Sequence, residues 1–118
     1  MTSLEKAKKI ATILDNKKGR GVSILKVREE TVITDYFVIA TATSSTHLKA
    51  LCDEVEYQLK EEDGIAANRT EGYQGGGWIL VDFGDVIVHI FDAASREFFN
   101  LEKLWAAAEK IEFEAKED

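Results

Sequence analysis

The sequence of 118 residues has no proline, a single cysteine and no long apolar run. One cysteine cannot form an internal disulfide, which is typical of proteins that stay in a reducing cytoplasm. No apolar stretch approaches the roughly 20 residues that a membrane span requires, and residues 1–6 contain no apolar signal core. These absences predict a cytoplasmic protein that does not associate with membranes.

Length and composition predict one globular domain. A chain of 118 residues is long enough for a sheet with a few covering helices and too short for two independent cores. Its 45% hydrophobic and 31% charged residues are those of an ordinary soluble protein. The domain is predicted over residues 1–111, and the acidic residues 112–118 are predicted to form a frayed tail.

Charge is distributed unevenly along the chain, whose formal net charge is −7. Residues 1–28 carry eight basic and two acidic side chains, whereas the other ninety residues carry seven basic and twenty acidic ones. An acidic body repels phosphate, which argues against a broad or sequence-specific nucleic-acid interface. It suits a basic protein partner, although the same charge also serves solubility alone.

Hydrophobic periodicity and turn residues predict an α/β fold with a mixed sheet of about five strands and helices mainly on one face. Thr2 and Glu5 form a capping box at the start of the first helix. The nearly continuous apolar run 35–42 indicates a strand buried on both faces, at the centre of the sheet. Cys52 falls on the apolar stripe of the longest helix and is interpreted as a small buried hydrophobe. Helices are predicted over residues 2–18, 46–62 and 101–111, and strands over 22–27, 35–42, 67–71, 78–83 and 86–91.

The two strongest predicted strands are joined only by Gly84 and Asp85, a two-residue hairpin turn with glycine first. Such a turn sets the pairing of the strands and therefore the side chains on each face. One face, termed the helix face, is wholly apolar and is expected to lie under the helices. The other, termed the aromatic face, mixes aromatic, aliphatic and ionisable side chains. The helix face carries Ile79, Val81, Phe83, Val86, Val88 and Ile90, and the aromatic face carries Trp78, Leu80, Asp82, Ile87, His89 and Phe91.

The aromatic face is the candidate functional surface. A dry core tolerates ionisable groups only if they are paired, so this face is predicted to stay open, with Trp78 and Phe91 as a cross-strand aromatic pair. An exposed patch of this kind usually marks a protein interface. The alternative is that the glycine-rich loop 72–77 or the first helix covers it. His89 has Asp82 as a diagonal neighbour, and this contact is interpreted as part of an interface rather than as a catalytic dyad.

Three stretches of the sequence carry a family resemblance. They are DYFVIAT at residues 35–41, WILVDFGDVIVHIF at 78–91, and the pattern R-x-F-F-x-L-E-x-L-W at 96–105. A Ser/Thr-capped helix and then Glu71-Gly72 lie between the first two stretches. In this order they resemble the Iojap-related proteins, the family of ribosomal silencing factors. The resemblance runs from about residue 4 to residue 105, nearly the whole chain.

The resemblance implies a protein that binds ribosomal protein L fourteen on the large ribosomal subunit. A protein bound there blocks joining with the small subunit and represses translation when nutrients are scarce. The resemblance also implies a nucleotidyltransferase-like fold and a homodimer away from the ribosome. Organellar relatives usually carry a targeting extension, and its absence here favours a bacterial protein.

The partner-binding residues are predicted from two sources. The resemblance implies Trp78, Ile79 and Leu80, at the start of their strand. The face assignment adds Asp82, His89 and Phe91, and it favours Ile79 as a core residue over a contact. Asp82, Asp85 and Glu97 are predicted to pair with lysine and arginine of the ribosomal protein. The full predicted set is Trp78, Ile79, Leu80, Asp82, Asp85, His89, Phe91 and Glu97.

Two rival functions are weighed against this one. A nucleotidyltransferase needs a Gly-Ser loop and clustered carboxylates for a divalent metal, and the sequence has neither a Gly-Ser pair nor an Asp-x-Asp motif. The loop 72–77 precedes a strand and lacks a Lys-Ser/Thr ending, so it is not a phosphate loop. His47 is interpreted as a solvated or capping residue, and we predict no metal, cofactor or enzymatic activity. The second rival, a dimerising module that uses the aromatic face, is compatible with the ribosomal hypothesis.

Overall fold

The chain folds into helices and strands that alternate along the sequence. A computed structural model describes residues 1–114, which hold four helices and six strands, one strand more than predicted. The elements are α1 (Ser3–Asn16), β1 (Arg20–Lys26), β2 (Tyr36–Ala42), α2 (Ser45–Asp63), β3 (Arg69–Glu71), β4 (Trp78–Asp82), β5 (Val86–Asp92), α3 (Ala93–Phe99), α4 (Leu101–Leu104) and β6 (Glu109–Ile111).

The strands form one mixed sheet in the order β3-β4-β5-β2-β1-β6. β2 and β5 are the parallel pair at its centre, and the other neighbours are antiparallel. The predicted central position of the apolar run 35–42 is therefore confirmed. β2 leads into α2 on one side of the sheet, whereas β5 leads into α3 on the other side. The two sides of the sheet thus receive different covers.

Local capping signals set the ends of the two long helices. The Thr2 hydroxyl accepts a hydrogen bond from the Glu5 backbone at 3.0 Å, and the Glu5 carboxylate accepts one from the Thr2 backbone at 2.7 Å. This capping box begins α1 as predicted. The Ser44 hydroxyl caps α2 by accepting from the His47 backbone at 3.0 Å. Gly64 ends α2 in the left-handed conformation, with φ +67°.

The helix face carries the main hydrophobic core, which α1 and α2 cover. The six hairpin side chains assigned to this face are all buried in it. Leu14 of α1 and Leu51 of α2 are fully buried with them, and Cys52 is buried on the same stripe as predicted. Each fully buried aliphatic side chain stabilises the fold by roughly 1.5–3 kcal/mol relative to exposure. This core is therefore the main source of stability.

A second, smaller apolar cluster lies on the aromatic face. The half-buried side chains of Trp78, Leu80 and Trp105 pack on it. β2 and β5 are consequently buried on both sides, which explains their nearly unbroken apolar sequences. The buried members of this cluster are Leu25, Val27, Phe37, Ile39, Ile87, Phe91 and Leu101.

The predicted last helix over residues 101–111 is wrong beyond its first turn. α4 ends at Leu104, residues 105–107 form a turn, and β6 pairs antiparallel with β1. The apolar residues of this stretch do not share one face, because Trp105 packs on the aromatic face and Ile111 against the main core. The chain turns around the β1 edge of the sheet, where hydrogen bonds to a strand replace those of a helix.

The predicted frayed tail, residues 112–118, is described only in part. Glu112, Phe113 and Glu114 lie outside regular secondary structure, and Phe113 packs half-buried against the main core. Residues 115–118 lie outside the described residues. The domain boundary at residue 111 stays a prediction, and the contact of Phe113 continues the core past it.

Candidate docking surface

The β4–β5 hairpin has the pairing that its turn predicts. Trp78 lies opposite Phe91, and Leu80 lies opposite His89. Gly84, the first residue of the turn, has φ +89°, a conformation that side-chain-bearing residues rarely adopt. The two sets of alternating side chains lie on opposite sides of the sheet, so the face assignment is confirmed.

The aromatic face is covered rather than open, which corrects the prediction. His89 is 4% exposed and Phe91 is 1% exposed. Phe91 stacks on Phe99, with ring centroids 6.2 Å apart, and Phe99 belongs to residues 93–105, here termed the α3–α4 segment. The two alternatives considered for the cover are also wrong, because α1 and Tyr73 of the glycine-rich loop pack against the main core. The cover is α3 and α4, and α3 was not among the predicted helices.

The exposed side of this cover and two half-buried side chains of β4 form an apolar patch, defined as Trp78, Leu80, Phe98, Phe99 and Leu104. The ring centroids of Trp78 and Phe99 are 4.6 Å apart, and those of Phe98 and Phe99 are 5.1 Å apart. Phe98, Phe99 and Leu104 are 81%, 43% and 74% exposed. Contiguous exposed apolar side chains are a feature of interaction sites. The patch therefore continues outward from the predicted Trp78 and Leu80 onto residues that were not predicted.

His89 supports Trp78, a member of the patch, from beneath. The Trp78 indole Nε1 donates a hydrogen bond to His89 Nδ1 at 3.2 Å, which assigns the imidazole proton to Nε2. Phe37 meets the imidazole ring edge to face, with centroids 4.8 Å apart. Within residues 1–114, Nε2 has no hydrogen-bond partner. Burial lowers the pKa of His89 from 6.5 to about 4, so the ring is neutral near neutral pH.

The three acidic residues predicted to face a basic partner differ in availability. Asp82 accepts a hydrogen bond from the backbone of its own turn at 2.7 Å, and the predicted contact with His89 is not formed. Asp85 lies 2.6 Å from the ammonium of Lys6. Glu97 is exposed beside the apolar patch, and no residue within 1–114 pairs with it. Glu97 is thus the acid best placed for a contact with another protein.

The predicted partner-binding residues consequently fall into separate groups. Trp78 and Leu80 lie on the surface, with Glu97 nearby, whereas His89 and Phe91 lie beneath. Ile79 is fully buried in the main core, in agreement with its face assignment. Phe98, Phe99 and Leu104 were missed, although the motif at 96–105 contains all three. The signal that could have found them is the pair of adjacent aromatic residues after an N-capping Asp92.

A concave region of about 520 Å³ lies elsewhere, at the carboxyl ends of β2 and β5. Here the chain leaves the parallel strands β2 and β5 toward opposite faces of the sheet. α/β proteins often bind ligands at such a position. Several polar groups of the concave region already have partners, however. Ser44 caps α2, Asp92 caps α3 by accepting from the Ser95 backbone, and the Lys49 ammonium lies 5.4 Å from the centroid of the Tyr73 ring. These contacts engage Ser44, Asp92, Lys49 and Tyr73 within the protein itself.

Metal and thiol chemistry have little support in the described part of the chain. Across residues 1–114 there is no group of three or more histidine, cysteine or acidic side chains that could hold a metal ion. Burial raises the pKa of the Cys52 thiol, and its hydrogen bond to Glu56 at 3.2 Å acts in the same direction. Because the thiolate is the reactive form, burial and the raised pKa both disfavour nucleophilic chemistry at this thiol. No helix of residues 1–114 combines the length and apolar character needed to cross a membrane.

The fold and the surface together define a class, a small mixed-sheet α/β domain with an exposed apolar patch on a short helical cover. A family model described as "Ribosomal silencing factor during starvation" matches residues 1–118. Ribosomal silencing factors of Halalkalibacterium halodurans and Bacillus subtilis are 35% and 36% identical, covering 97% and 83% of this chain and 97% and 82% of theirs. A crystal structure of a Chromobacterium violaceum protein matches with a TM-score of 0.86 and 33% identity, covering 98% of this chain and 95% of that one. The chain belongs to the ribosomal silencing factor family.

Proposed function

We propose that this protein docks its apolar patch on the large ribosomal subunit, at ribosomal protein L fourteen, and sterically blocks joining with the small subunit. The observation that carries the proposal is the contiguous exposure of Phe98, Phe99 and Leu104 beside Trp78. The names of the relatives support a ribosomal target. A mouse relative, 33% identical, is named mitochondrial assembly of ribosomal large subunit protein 1. Repression of translation under nutrient limitation would follow from this block.

The patch has the composition of a docking site. Aromatic side chains supply large buried area when a partner covers them, and tryptophan is among the residues that contribute most to binding. Glu97 at the margin supplies a carboxylate for a lysine or arginine of the partner, and the net charge of −7 favours approach to a basic protein. Val32 and Ile33 are also exposed, but they are two aliphatic side chains in the connection after β1.

The predicted residues take different roles in this proposal. Trp78, Leu80 and Glu97 would contact the partner directly, whereas His89 and Phe91 would support Trp78 from beneath. Asp82 and Asp85 remain proposed as acidic groups around the hairpin turn, where each already has an intramolecular contact. Ile79 would act only through the stability of the fold.

The proposed mechanism is steric and requires neither a cofactor, a metal nor catalysis. It is supported by the burial of Cys52, which raises the pKa of its thiol, and by the capping hydrogen bonds that engage Ser44 and Asp92 at the ends of β2 and β5. We also propose a cytoplasmic location, as for a factor acting on bacterial ribosomes, although relatives named as mitochondrial and chloroplast proteins exist in Arabidopsis thaliana. Direct sequence-specific binding of nucleic acid is not part of the proposal, since the body of the chain is acidic.

The test is binding of the purified protein to separated large ribosomal subunits, measured by co-sedimentation over a range of concentrations. Trp78→Ala is expected to weaken binding about 100-fold and Phe98→Ala about tenfold, because aromatic residues at the centre of interfaces dominate affinity. The same variants should bind purified ribosomal protein L fourteen more weakly in a direct titration. They should also allow more joining of the two subunits in the presence of the protein.

Val32→Ala is the matched control, since it shortens an exposed apolar side chain outside the patch. Thermal melts establish that each variant is folded. Equal binding by wild type, Trp78→Ala and Phe98→Ala would refute the patch as the docking site. If the wild type does not bind large subunits at all, the ribosomal proposal fails.

A homodimer away from the ribosome is a second proposal for the same surface, supported by the exposed apolar side chains at the patch. A dimer would bury these side chains and release them on docking. Sedimentation equilibrium of wild type and Phe98→Ala tests this. A lower dimer fraction in the variant would support use of the patch for self-association, whereas an unchanged monomer–dimer equilibrium would place any dimer contact elsewhere.

A further inference from the structure

The α3–α4 segment carries three of the five patch residues but has few apolar anchors of its own. All residues of α3 are partly or fully exposed, and Leu101 is the buried residue that α4 contributes. The helices are short, at seven and four residues, and helices of this length have little stability without tertiary contacts. Leu101, Phe99 and Trp105 supply its apolar contacts with the cluster beneath, and polar contacts add to them in fixing its position.

Arg96 makes several of the polar contacts that connect this segment to the sheet. Its Nη1 donates to Thr41 Oγ1 at 3.0 Å and to the Arg20 carbonyl at 3.4 Å. Its Nη2 and Nε donate to the two carboxylate oxygens of Glu102 at 2.8 and 3.3 Å. The Arg96 side chain is only 17% exposed. One guanidinium thus joins the ends of β1 and β2 to both α3 and α4.

The backbone of β1 next to the Arg96 guanidinium leaves space for it. β1 has a register irregularity between Arg20 and Ser23, and Gly21 within it has φ +54°. A Cβ atom on Gly21 would lie 3.0 Å from Arg96 Nη1, so the absence of a side chain there leaves room for the arginine. The Ser23 hydroxyl donates to Glu102 at 3.4 Å, which ties the carboxylate to β1 as well.

The charge state of the carboxylate suits this role. Partial burial acts to raise the pKa of Glu102, but the hydrogen bond and charge of Arg96, with smaller effects of Ser23 and Lys110, outweigh it. The net pKa lies below 4.5, so Glu102 is ionised at neutral pH. A bidentate pair between a planar guanidinium and a carboxylate sets both distance and orientation, which a lysine ammonium cannot do.

We infer that Arg96 is a positioning residue for the apolar patch. Together with Glu102, Arg96 clamps the α3–α4 segment against the sheet. This clamp fixes the positions of Phe98, Phe99 and Leu104 relative to Trp78. The use of this arrangement on the ribosome rests on the proposed function. The clamp itself is a property of the free protein. Arg96 acts through the segment and is not itself a contact of the partner.

Tryptophan fluorescence reports on the clamp directly, because Trp78 packs against Phe99 of the α3–α4 segment and Trp105 is the last residue of that segment. The Trp78 ring lies 4.6 Å from that of Phe99, and the Trp105 ring lies 5.3 Å from that of Phe37. The experiment compares Arg96→Ala, Arg96→Lys and Glu102→Gln with the wild type. Three quantities are measured: tryptophan emission with acrylamide quenching, amide hydrogen exchange over residues 97–105, and co-sedimentation with separated large subunits.

Arg96→Ala is expected to shift the emission to the red, to increase quenching and exchange in the segment, and to weaken subunit binding about tenfold. Exchange in α1 and α2 should stay at its wild-type rate. Arg96→Lys should recover only part of each change, since it keeps the charge but loses the planar fork. Glu102→Gln keeps a hydrogen-bond acceptor and should show smaller changes, which keeps the test usable if Arg96→Ala does not fold. Lys9→Ala, which removes an ion pair between α1 and the end of α2, is the matched control and should leave all three quantities unchanged.

Two results would overturn the inference. Weaker binding by Arg96→Ala with unchanged emission and exchange would mean that Arg96 contacts the partner itself. Wild-type emission, exchange and binding in that variant would mean that the clamp does not position the segment. If the wild type does not bind large subunits, the proposed function fails, and emission and exchange alone still decide whether Arg96 positions the patch.

Discussion

The two sides of the sheet are built in different ways. On the helix face, α1 and α2 bury a continuous core in which side chains such as Leu14, Leu51 and Ile79 have no exposed surface. On the aromatic face, the short α3–α4 segment rests on a smaller cluster and presents Phe98, Phe99 and Leu104 outward. One side is stabilised by apolar burial, and the other combines a thin apolar layer with a polar clamp.

Under the proposed function, this difference separates stability from recognition within one small domain. Local stability follows the number of buried apolar contacts, so a segment with few of them opens more readily than the core. A surface that must offer aromatic rings to a partner cannot also bury them in its own core. The apolar patch is therefore expected to tolerate substitutions that the helix face does not, and to lose binding when they are made.

The largest expected effect on stability comes from comparing substitutions at two neighbouring residues of β4 whose side chains lie on opposite sides of the sheet. Ile79→Ala should lower the free energy of unfolding by about 2–5 kcal/mol, because it removes buried methyl groups and leaves a cavity. Leu80→Ala, its matched control on the half-buried side, should cost about 1 kcal/mol and weaken subunit binding instead. Urea denaturation and co-sedimentation measure the two quantities. Similar stability losses for both variants would contradict the division between the faces.

A second prediction uses the buried histidine of the aromatic face. Burial lowers the pKa of His89 from 6.5 to about 4, so the unfolded chain binds a proton more readily than the folded one between these values. The contribution of His89 to stability is therefore fully present above pH 6.5 and is lost as pH falls toward 4. Between pH 6.5 and about pH 5 the loss should be on the order of 2 kcal/mol.

Denaturation curves over this pH range, for wild type and His89→Phe, test that assignment. The variant should show a shallower decline in stability with acid, because phenylalanine does not titrate. It should also change tryptophan emission, since Trp78 loses the acceptor of its hydrogen bond. An equally steep decline in the variant would assign the acid sensitivity to other groups.

The smallest expected effect on stability is that of Phe98→Ser. This side chain is 81% exposed, so its replacement should change the free energy of unfolding by no more than about 0.5 kcal/mol. Binding to large subunits should nevertheless fall, as for Phe98→Ala. A loss of stability comparable to that of Ile79→Ala would show that the patch is part of the core, and it would remove the contrast between the two faces.

The features that were predictable from sequence depend on local chemistry or on simple periodicity. The capping box of Thr2 and Glu5 and the glycine turn at Gly84 were placed correctly, because each involves residues within a few positions of one another. The alternation of hairpin side chains also identified both faces, since the period of a strand is two residues. Family membership followed from the motifs at 78–91 and 96–105.

The errors concern contacts between distant parts of the chain. Residues 101–111 have helical spacing, but the free edge of β1 provides hydrogen-bonding partners that turn residues 109–111 into β6. The expected openness of the aromatic face was wrong for the same reason, because its cover comes from α3 and α4. The ionisable His89 on that face indicated an open surface, yet a neutral imidazole bonded to Trp78 is compatible with burial.

The sequence by itself determined the fold class, the two faces of the hairpin and the family, because these depend on side-chain order and on residues close together in the chain. The tertiary structure alone decided which predicted residues reach the surface. It buried His89 and Phe91, exposed Phe98 and Leu104, and brought Arg96 to Thr41 across 55 positions of the chain. The physical reason is that exposure and long-range hydrogen bonds depend on where distant segments pack, and a local pattern of residues does not contain that information.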